Sequence, residues 1–496
     1  MKNGRSRKVS TISKKSIFVA VCLVGGLALL AMAGCGAVIP LSSTTTLGSG
    51  NINMIFVVPP DVANDPLGDI NASTGNLSNQ GLQRSLMMAT YLKQQLLGSN
   101  NVSGIYALQP MSHLQTARQL PDMAALGFIQ QFALLNQTTV LGTTANSFPI
   151  NVAYLPGDVP AGVTTPNPYV PLAQGLVFDD VHGNNAALAL GIINGKAPGF
   201  YVFSAPWETT KALLTSINAA KGYNLTLPAN YQGPNIVYAL SITTAGSASP
   251  FAFDSKLTPS TGYPTLPAAV ASASCTQQTY FSYTRTAGVN GVIVPPNINR
   301  NQTMYLIRHA EAHPTSNFED GNYVGAGQWR ALALPAFLPG ALRGQANLTM
   351  VYSIDPAQSF PVYNVSYVRP SLTVLPYAIA NNLPLHLASS FLIGMDASSD
   401  ASAESAKEYF FTSSAGVNLS NETILLAWEH LHFPPLVQNL INSYGGSVPA
   451  PTLTWPAPDY DTIWTVKIDA AGNLSVDNAL CEGIDTTNLQ KTAPMF

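Results

Sequence analysis

Charge is what this sequence has least of: Asp, Glu, Lys and Arg together make up only 9% of its 496 residues. Basic residues are scarce and unclustered after the first turns of the chain, so no basic face exists for a nucleic acid to bind. Cysteine is nearly as rare, with Cys22, Cys35, Cys275 and Cys481 the full set. No cysteine or aspartate cluster accompanies the close pair His430 and His432, and i and i+2 side chains at a turn diverge, which argues against a metal centre there. Long apolar runs are absent as well; the longest, at 17–33, is short for a bilayer span. What is abundant is Asn, Ser, Thr, Gly and Pro, a balance that suits an exported protein with long polar loops. The 46% of hydrophobic residues excludes disorder.

The run at 17–33 follows Lys2, Arg5, Arg7, Lys8, Lys14 and Lys15 with no acid among them, which reads as an export signal. It closes on Met32-Ala33-Gly34-Cys35, which resembles the lipobox of bacterial lipoproteins. That resemblance implies a signal peptide at 1–34, lipidation of Cys35, a Ser/Thr/Gly-rich tether at 35–50, and an extracytoplasmic place at the bacterial cell envelope, held to the membrane by acyl chains. Taking the six basic residues from 22 leaves 16 against 25 acids, a formal charge of −9. In an oxidising envelope Cys275 and Cys481 are expected to form a disulfide in preference to remaining two buried thiols.

The remaining residues, about 460, exceed what a single core organises. In the second half, 303–307, 348–354, 423–427 and 462–468 read as strands, and 327–338, 370–381, 403–411 and 435–444 as helices. The alternation predicts an α/β class with a mostly parallel sheet. The first half repeats the plan. Gly75-Asn76 matches Gly321-Asn322, the run from Gly81 to Leu86 matches that from Gly327 to Leu332, and Tyr106 and Pro110 match Tyr352 and Pro356, all at one offset of 246. Two tandem three-layer α/β/α domains are therefore expected, at 51–265 and 275–496, joined through a Pro/Ala/Ser-rich stretch near 262–274.

The sharpest local feature is Tyr305-Leu306-Ile307-Arg308-His309-Ala310-Glu311, an apolar strand that ends in two phosphate-seeking groups. Downstream, Val368-Arg369-Pro370 opens a helix, and Leu425-Leu426-Ala427-Trp428-Glu429-His430 ends a second apolar strand. In this order the three segments resemble the histidine phosphatase (phosphoglycerate mutase-like) superfamily. Ala310 stands where most members have glycine. The resemblance implies a metal-independent phosphomonoesterase without cofactor, acting on a small phosphate ester. His309 would attack phosphorus, Arg308, Arg369 and His430 would bind the phosphoryl oxygens, and a carboxyl group would protonate the leaving group. Asp396, Glu311 and Glu429 are the candidates for that acid, and the residues do not choose among them. His313 either lines the pocket mouth or is solvated, and His386 has no catalytic part.

The first half has none of these groups: Val58-Pro59 replaces Arg308-His309, Leu120 stands near the place of Arg369, and Trp207 or Thr209 near that of His430. It is expected to be degenerate toward phosphate, with Asp61, Asp65, Asp69 and His113 too scattered in the sequence to make another site. A different class of function stays open on these residues, a non-catalytic binding or scaffold lipoprotein that keeps the fold.

Overall fold

The computed structural model describes residues 47–64, 68–136, 150–151, 185–274, 279–312, 320–342, 347–357, 359–360, 365–388 and 400–496. The signal segment, Cys35, Cys275, Asp65, His313 and Asp396 therefore lie outside the described residues. Cys481 is half of a disulfide. Among the described residues no helix is long and apolar enough to cross a membrane.

In chain order the first half runs β1 (Ile52–Val57), α1 (Asn79–Tyr91), β2 (Gly104–Ala107), β3 (Leu114–Gln115), β4 (Leu120–Pro121), α2 (Ala124–Leu135), β5 (Ile150–Asn151), α3 (Asn185–Gly195), β6 (Gly199–Ser204), α4 (Trp207–Lys221), β7 (Ile236–Ile242) and β8 (Ala248–Asp254). The second half opens with β9 (Ser282–Arg285). It continues with β10 (Gln302–Arg308), α5 (Gly325–Ala341), β11 (Met350–Ile354), β12 (Ser359–Phe360), β13 (Val365–Ser366), α6 (Arg369–Ala380), β14 (Leu385–Ala388), α7 (Asp400–Phe411), β15 (Thr423–Trp428), α8 (Phe433–Ser443), β16 (Thr462–Ile468) and β17 (Leu474–Cys481).

The large sheets are ordered β5-β2-β6-β1-β7-β8 and β14-β11-β15-β10-β16-β17-β9. Strand for strand, the first follows the connectivity of the second, without a counterpart of β9. Neither sheet is parallel throughout. Parallel pairing joins β14, β11, β15 and β10, while β16, β17 and β9 run antiparallel. The first sheet divides in the same way at β1, which is parallel to β6 and antiparallel to β7.

Strand pleating explains where the cores form. Alternate residues point to opposite sheet faces, so Tyr305 and Ile307 of β10 enter one core while Met304 and Leu306 enter another. Likewise Ile55 and Val57 of β1 share the core of Tyr305 and Ile307, and Met54 and Phe56 face a third, beneath α3 and α4. A single core thus runs between the two sheets and is filled by α1, α2, α5 and α6. Its tightest crossing is at Gly127 on α2, where a Cβ would stand 2.9 Å from Leu375 Cδ2 of α6. The second half's other face packs on α7 and α8 through Phe410, Leu436 and Leu440.

Local chemistry sets the helix ends. The Ser78 hydroxyl accepts from Gly81 N at 3.1 Å at the start of α1, and prolines open α6 and α8 where their missing N–H costs nothing. The matched Gly75 and Gly321 both take a left-handed φ, +71° and +75°. At Gly321 a side chain would also strike Ser366 O, 1.8 Å from the position of a Cβ.

Arg330 of α5 is wholly buried, and its guanidinium faces Glu311 at 3.0 Å, Asp461 at 3.6 Å and Glu482 in direct contact. Burial pushes the Glu482 carboxyl up to about 8 against the opposing pull of Arg330. Two outcomes follow from these contacts. Arg330→Met, which strands the acids, should cost about 3–5 kcal/mol in denaturant unfolding. Because the folded-state value of Glu482 lies above its value of 4.5 in a free chain, its stabilising effect is complete below that pH and disappears as the pH rises through about 8. Melting temperatures should therefore fall over that range in the wild type and fall less in Glu482→Gln; equal slopes would refute the assignment.

Candidate active site

β10 and β15 lie side by side with Arg308 in register with Trp428. The residues that follow, His309 on one strand and Glu429-His430 on the other, leave the sheet at the same edge, the carboxyl end of its parallel strands, where α/β sites form. His309 N donates to Trp428 O at 2.9 Å and fixes this junction. The third segment comes from α6. Arg369 stands at its first turn, with its backbone N donating to Gly321 O at 3.0 Å and its Nη1 to Asn322 O at 3.4 Å. The helix N-terminus adds its own partial positive charge.

The imidazole of His309 is buried, with Nδ1 2.8 Å from the carbonyl oxygen of Ala310. A carbonyl only accepts, so Nδ1 carries the proton and Nε2 presents a lone pair; among the described residues Nε2 makes no hydrogen bond. Burial, and then the charges of Arg369 and Arg308, depress the pKa of His309 well below the usual histidine range. The ring is therefore neutral near pH 7, with Nε2 unprotonated. Its loop is held by Thr373 of α6, whose Oγ1 accepts from Ala310 N at 2.8 Å and donates to Arg369 O at 2.7 Å.

Each arginine lies over a tyrosine. The Arg308 guanidinium carbon is 3.8 Å from the ring centre of Tyr460, and that of Arg369 is 4.8 Å from the ring centre of Tyr367. Both rings flank His309, with centroids 6.1 Å from its own. Arg308 also donates to the carbonyls of Ala457 and Asp459 and, at 3.2 Å, to Tyr460 Oη. His430 Nδ1 contacts Glu429 Oε1. Burial alone would raise Glu429, but His430, His309 and His432 together hold it well below the ordinary carboxylate range.

Those contacts narrow the proton donors. Glu429 stays ionised against His430, and both Glu311 oxygens accept from Arg330 Nε at 3.0 and 3.1 Å. His432 stacks on Trp428 with centroids 4.5 Å apart, and His386 stacks on Tyr352 at 4.9 Å, so neither joins the site. Tyr460 and Thr373 are the functional neighbours that sequence patterns gave no role. A Trp-Pro-Ala-Pro-Asp-Tyr-Asp run ahead of β16, dense in prolines and rings, was the available signal for Tyr460.

The first half departs from expectation in one respect. Asp61, after β1, and His113, ahead of β3, are not scattered: with Asp122, just before α2, they place one ligand atom each within 4.8 Å of the others. Asp69 stands apart from this group, paired with Arg84 at 3.1 Å. The separation in sequence concealed the meeting because the β3-β4 hairpin folds His113 back beside Asp122.

No family model matches the chain, and no curated protein does. Solved structures similar to part of it include a protein proposed as the phosphohistidine phosphatase SixA from Agrobacterium tumefaciens, 14% identical, covering 34% of this chain and 93% of that one with a TM-score of 0.19. A second protein proposed as SixA, from Nakamurella multipartitia, is 16% identical over 40% of this chain and 94% of that one, with a TM-score of 0.22. A phosphoserine phosphatase from Entamoeba histolytica, in complex with phosphoserine, is 14% identical over 38% of this chain and 100% of that one, with a TM-score of 0.19.

Thr373→Val removes the acceptor of Ala310 N and leaves that buried donor unpaired. It should lower stability by about 1–3 kcal/mol in urea unfolding by loosening the His309 loop; a variant as stable as the wild type would refute this role.

Proposed function

We propose that the second half is a metal-independent phosphomonoesterase working through a phosphohistidine. The observation that carries the reading is a neutral, buried imidazole with its Nε2 lone pair open, placed in the field of two arginines. A phosphate monoester brings about two negative charges, which Arg308, Arg369 and the N-terminus of α6 neutralise, and these groups stabilise the charge on the oxygens in the transition state. Nε2 of His309 attacks phosphorus, the P–O bond to the alcohol breaks, and the leaving oxygen takes a proton. Water then attacks the phosphohistidine and returns a proton to the carboxylate that protonated the leaving group, phosphate departs, and Nε2 regains its lone pair. His430, held by Glu429, binds a phosphoryl oxygen. With Glu311 and Glu429 engaged elsewhere, the proton donor is assigned to Asp396, the remaining sequence candidate.

The same reading makes the first half a second copy of the fold that has lost the phosphate groups, supported by the shared strand order. It places the protein at the bacterial envelope on a lipidated Cys35, which the basic and apolar start of the chain supports.

A second reading, a phosphate-binding scaffold without turnover, has one observation in its favour: Arg308 donates to the carbonyls of Ala457 and Asp459, which compete with a phosphate for its donors.

Rapid mixing with a nitrophenyl phosphate ester decides between them. The enzyme should give a burst and an acid-labile phosphoprotein, and His309→Ala should form none and lose at least about 1000-fold in kcat. Asp396→Asn should impair alkyl esters far more than nitrophenyl esters, whose leaving group needs no proton. Phosphate binding without a phosphoprotein in the wild type would establish the scaffold instead.

A further inference from the structure

The group at Asp61, His113 and Asp122 is built differently from a solvated charge cluster. Each aspartate uses one oxygen on the backbone and turns the other inward: Asp61 Oδ1 accepts from Ala63 N at 2.7 Å, and Asp122 Oδ1 accepts from Ala124 N at 2.8 Å. Both Oδ2 atoms then meet the same imidazole nitrogen, His113 Nε2, at 2.7 and 3.8 Å. Gln115 closes the group, its terminal amide 2.9 Å from Asp61 Oδ2 and 3.1 Å from Asp122 Oδ2. The aspartate side chains are 5% and 2% exposed while His113 is 24% exposed, so the donors are sheltered but a solute can enter beside the histidine. Two buried carboxylates against one imidazole leave the pocket short of positive charge.

We propose that Asp61, His113 and Asp122 bind a single divalent transition-metal ion of the zinc class, with the Gln115 amide oxygen as a fourth donor. Four ligands at tetrahedral Zn²⁺ distances have six mutual separations of about 3.3 Å; four of the six here are 2.7, 3.8, 2.9 and 3.1 Å, and the Asp61 and Asp122 oxygens lie within 4.8 Å of each other. The oxygen and nitrogen of an amide exchange places by a half-turn, which carries the Gln115 oxygen to the position now taken by Nε2 at the cost of a long, 3.3 Å bond from Val62 N. The ion replaces the proton that bridges His113 and Asp61, so binding releases it. A nitrogen donor and so few oxygens disfavour Ca²⁺ and Mg²⁺, which take six or more oxygen ligands. The site ties the loop after β1, the β3-β4 hairpin and the start of α2, and thus occupies in the first sheet the edge that carries His309 and Arg369 in the second.

The test is equilibrium dialysis of the full chain, stripped with chelator, against Zn²⁺ and separately Mg²⁺, with bound metal measured by mass spectrometry and melting temperature followed in parallel. One equivalent of Zn²⁺ should bind and raise the melting temperature, with Mg²⁺ doing neither. His113→Ala, at a partly exposed position and with its fold checked by circular dichroism, and Asp122→Asn should each weaken Zn²⁺ by about 100-fold or more, since even outer partners of metal ligands contribute about 10–100-fold. Absence of saturable Zn²⁺ binding, or binding unchanged in both variants, overturns the site and leaves a hydrogen-bonded group whose loss alters stability without any dependence on metal. The readout is independent of ester hydrolysis, so it succeeds or fails apart from the proposed phosphatase.

Discussion

One buried cation organises the second half. Arg330 is 0% exposed, and its guanidinium is reached by Glu311 from the loop after β10, by Asp461 from the approach to β16, and by Glu482 just past β17. Removed from water, that charge is tolerable only with partners at hand, so each of the three loops is bound to one point on α5. Both sides of His309 depend on it: Glu311 stands two residues after His309, and Asp461 follows Tyr460, the ring beneath Arg308. Asp461 is itself held by its hydrogen bond from Ile484 N, 3.0 Å long, which joins the same point to the end of the chain. A buried ion network thereby sets the geometry around His309.

The strands that carry the pocket were legible because central strands buried on both faces are uninterrupted in apolar character. β10 and β15 each read as one run, and observed ends differ from expected ones by one residue or so. α6 was visible from Arg369-Pro370, since proline marks a helix's first turn. Much less could be read of β17, where buried and half-buried residues alternate beside β9, or of the antiparallel direction of β16, which nothing in its composition distinguishes from a parallel strand. Thr373 and Tyr460 were hidden for another reason: one sits mid-helix and the other in a proline-rich loop, and only folding brings them to His309. Asp61, His113 and Asp122 show the same limit, since a hairpin of two-residue strands is too short to leave a pattern.

The two sheet edges complement each other in charge. In the second half the edge gathers arginines and the N-terminus of α6 around a neutral imidazole. In the first half, the same places in the connectivity gather carboxylates around an imidazole. One scaffold thus presents opposite potentials at equivalent positions, and the side chains alone decide which.

The core between the sheets has a consequence for the half without phosphate groups. Because α1 and α2 fill the same apolar layer as α5 and α6, neither half has a finished surface on that side, and a Cβ at Gly127 would stand close enough to Leu375 Cδ2 that the leucine must shift. Taken alone, the second half would turn the apolar face of α5 and α6 toward water. The first half thus serves as the other side of its partner's interior, a structural duty that holds whether or not it retains chemistry of its own.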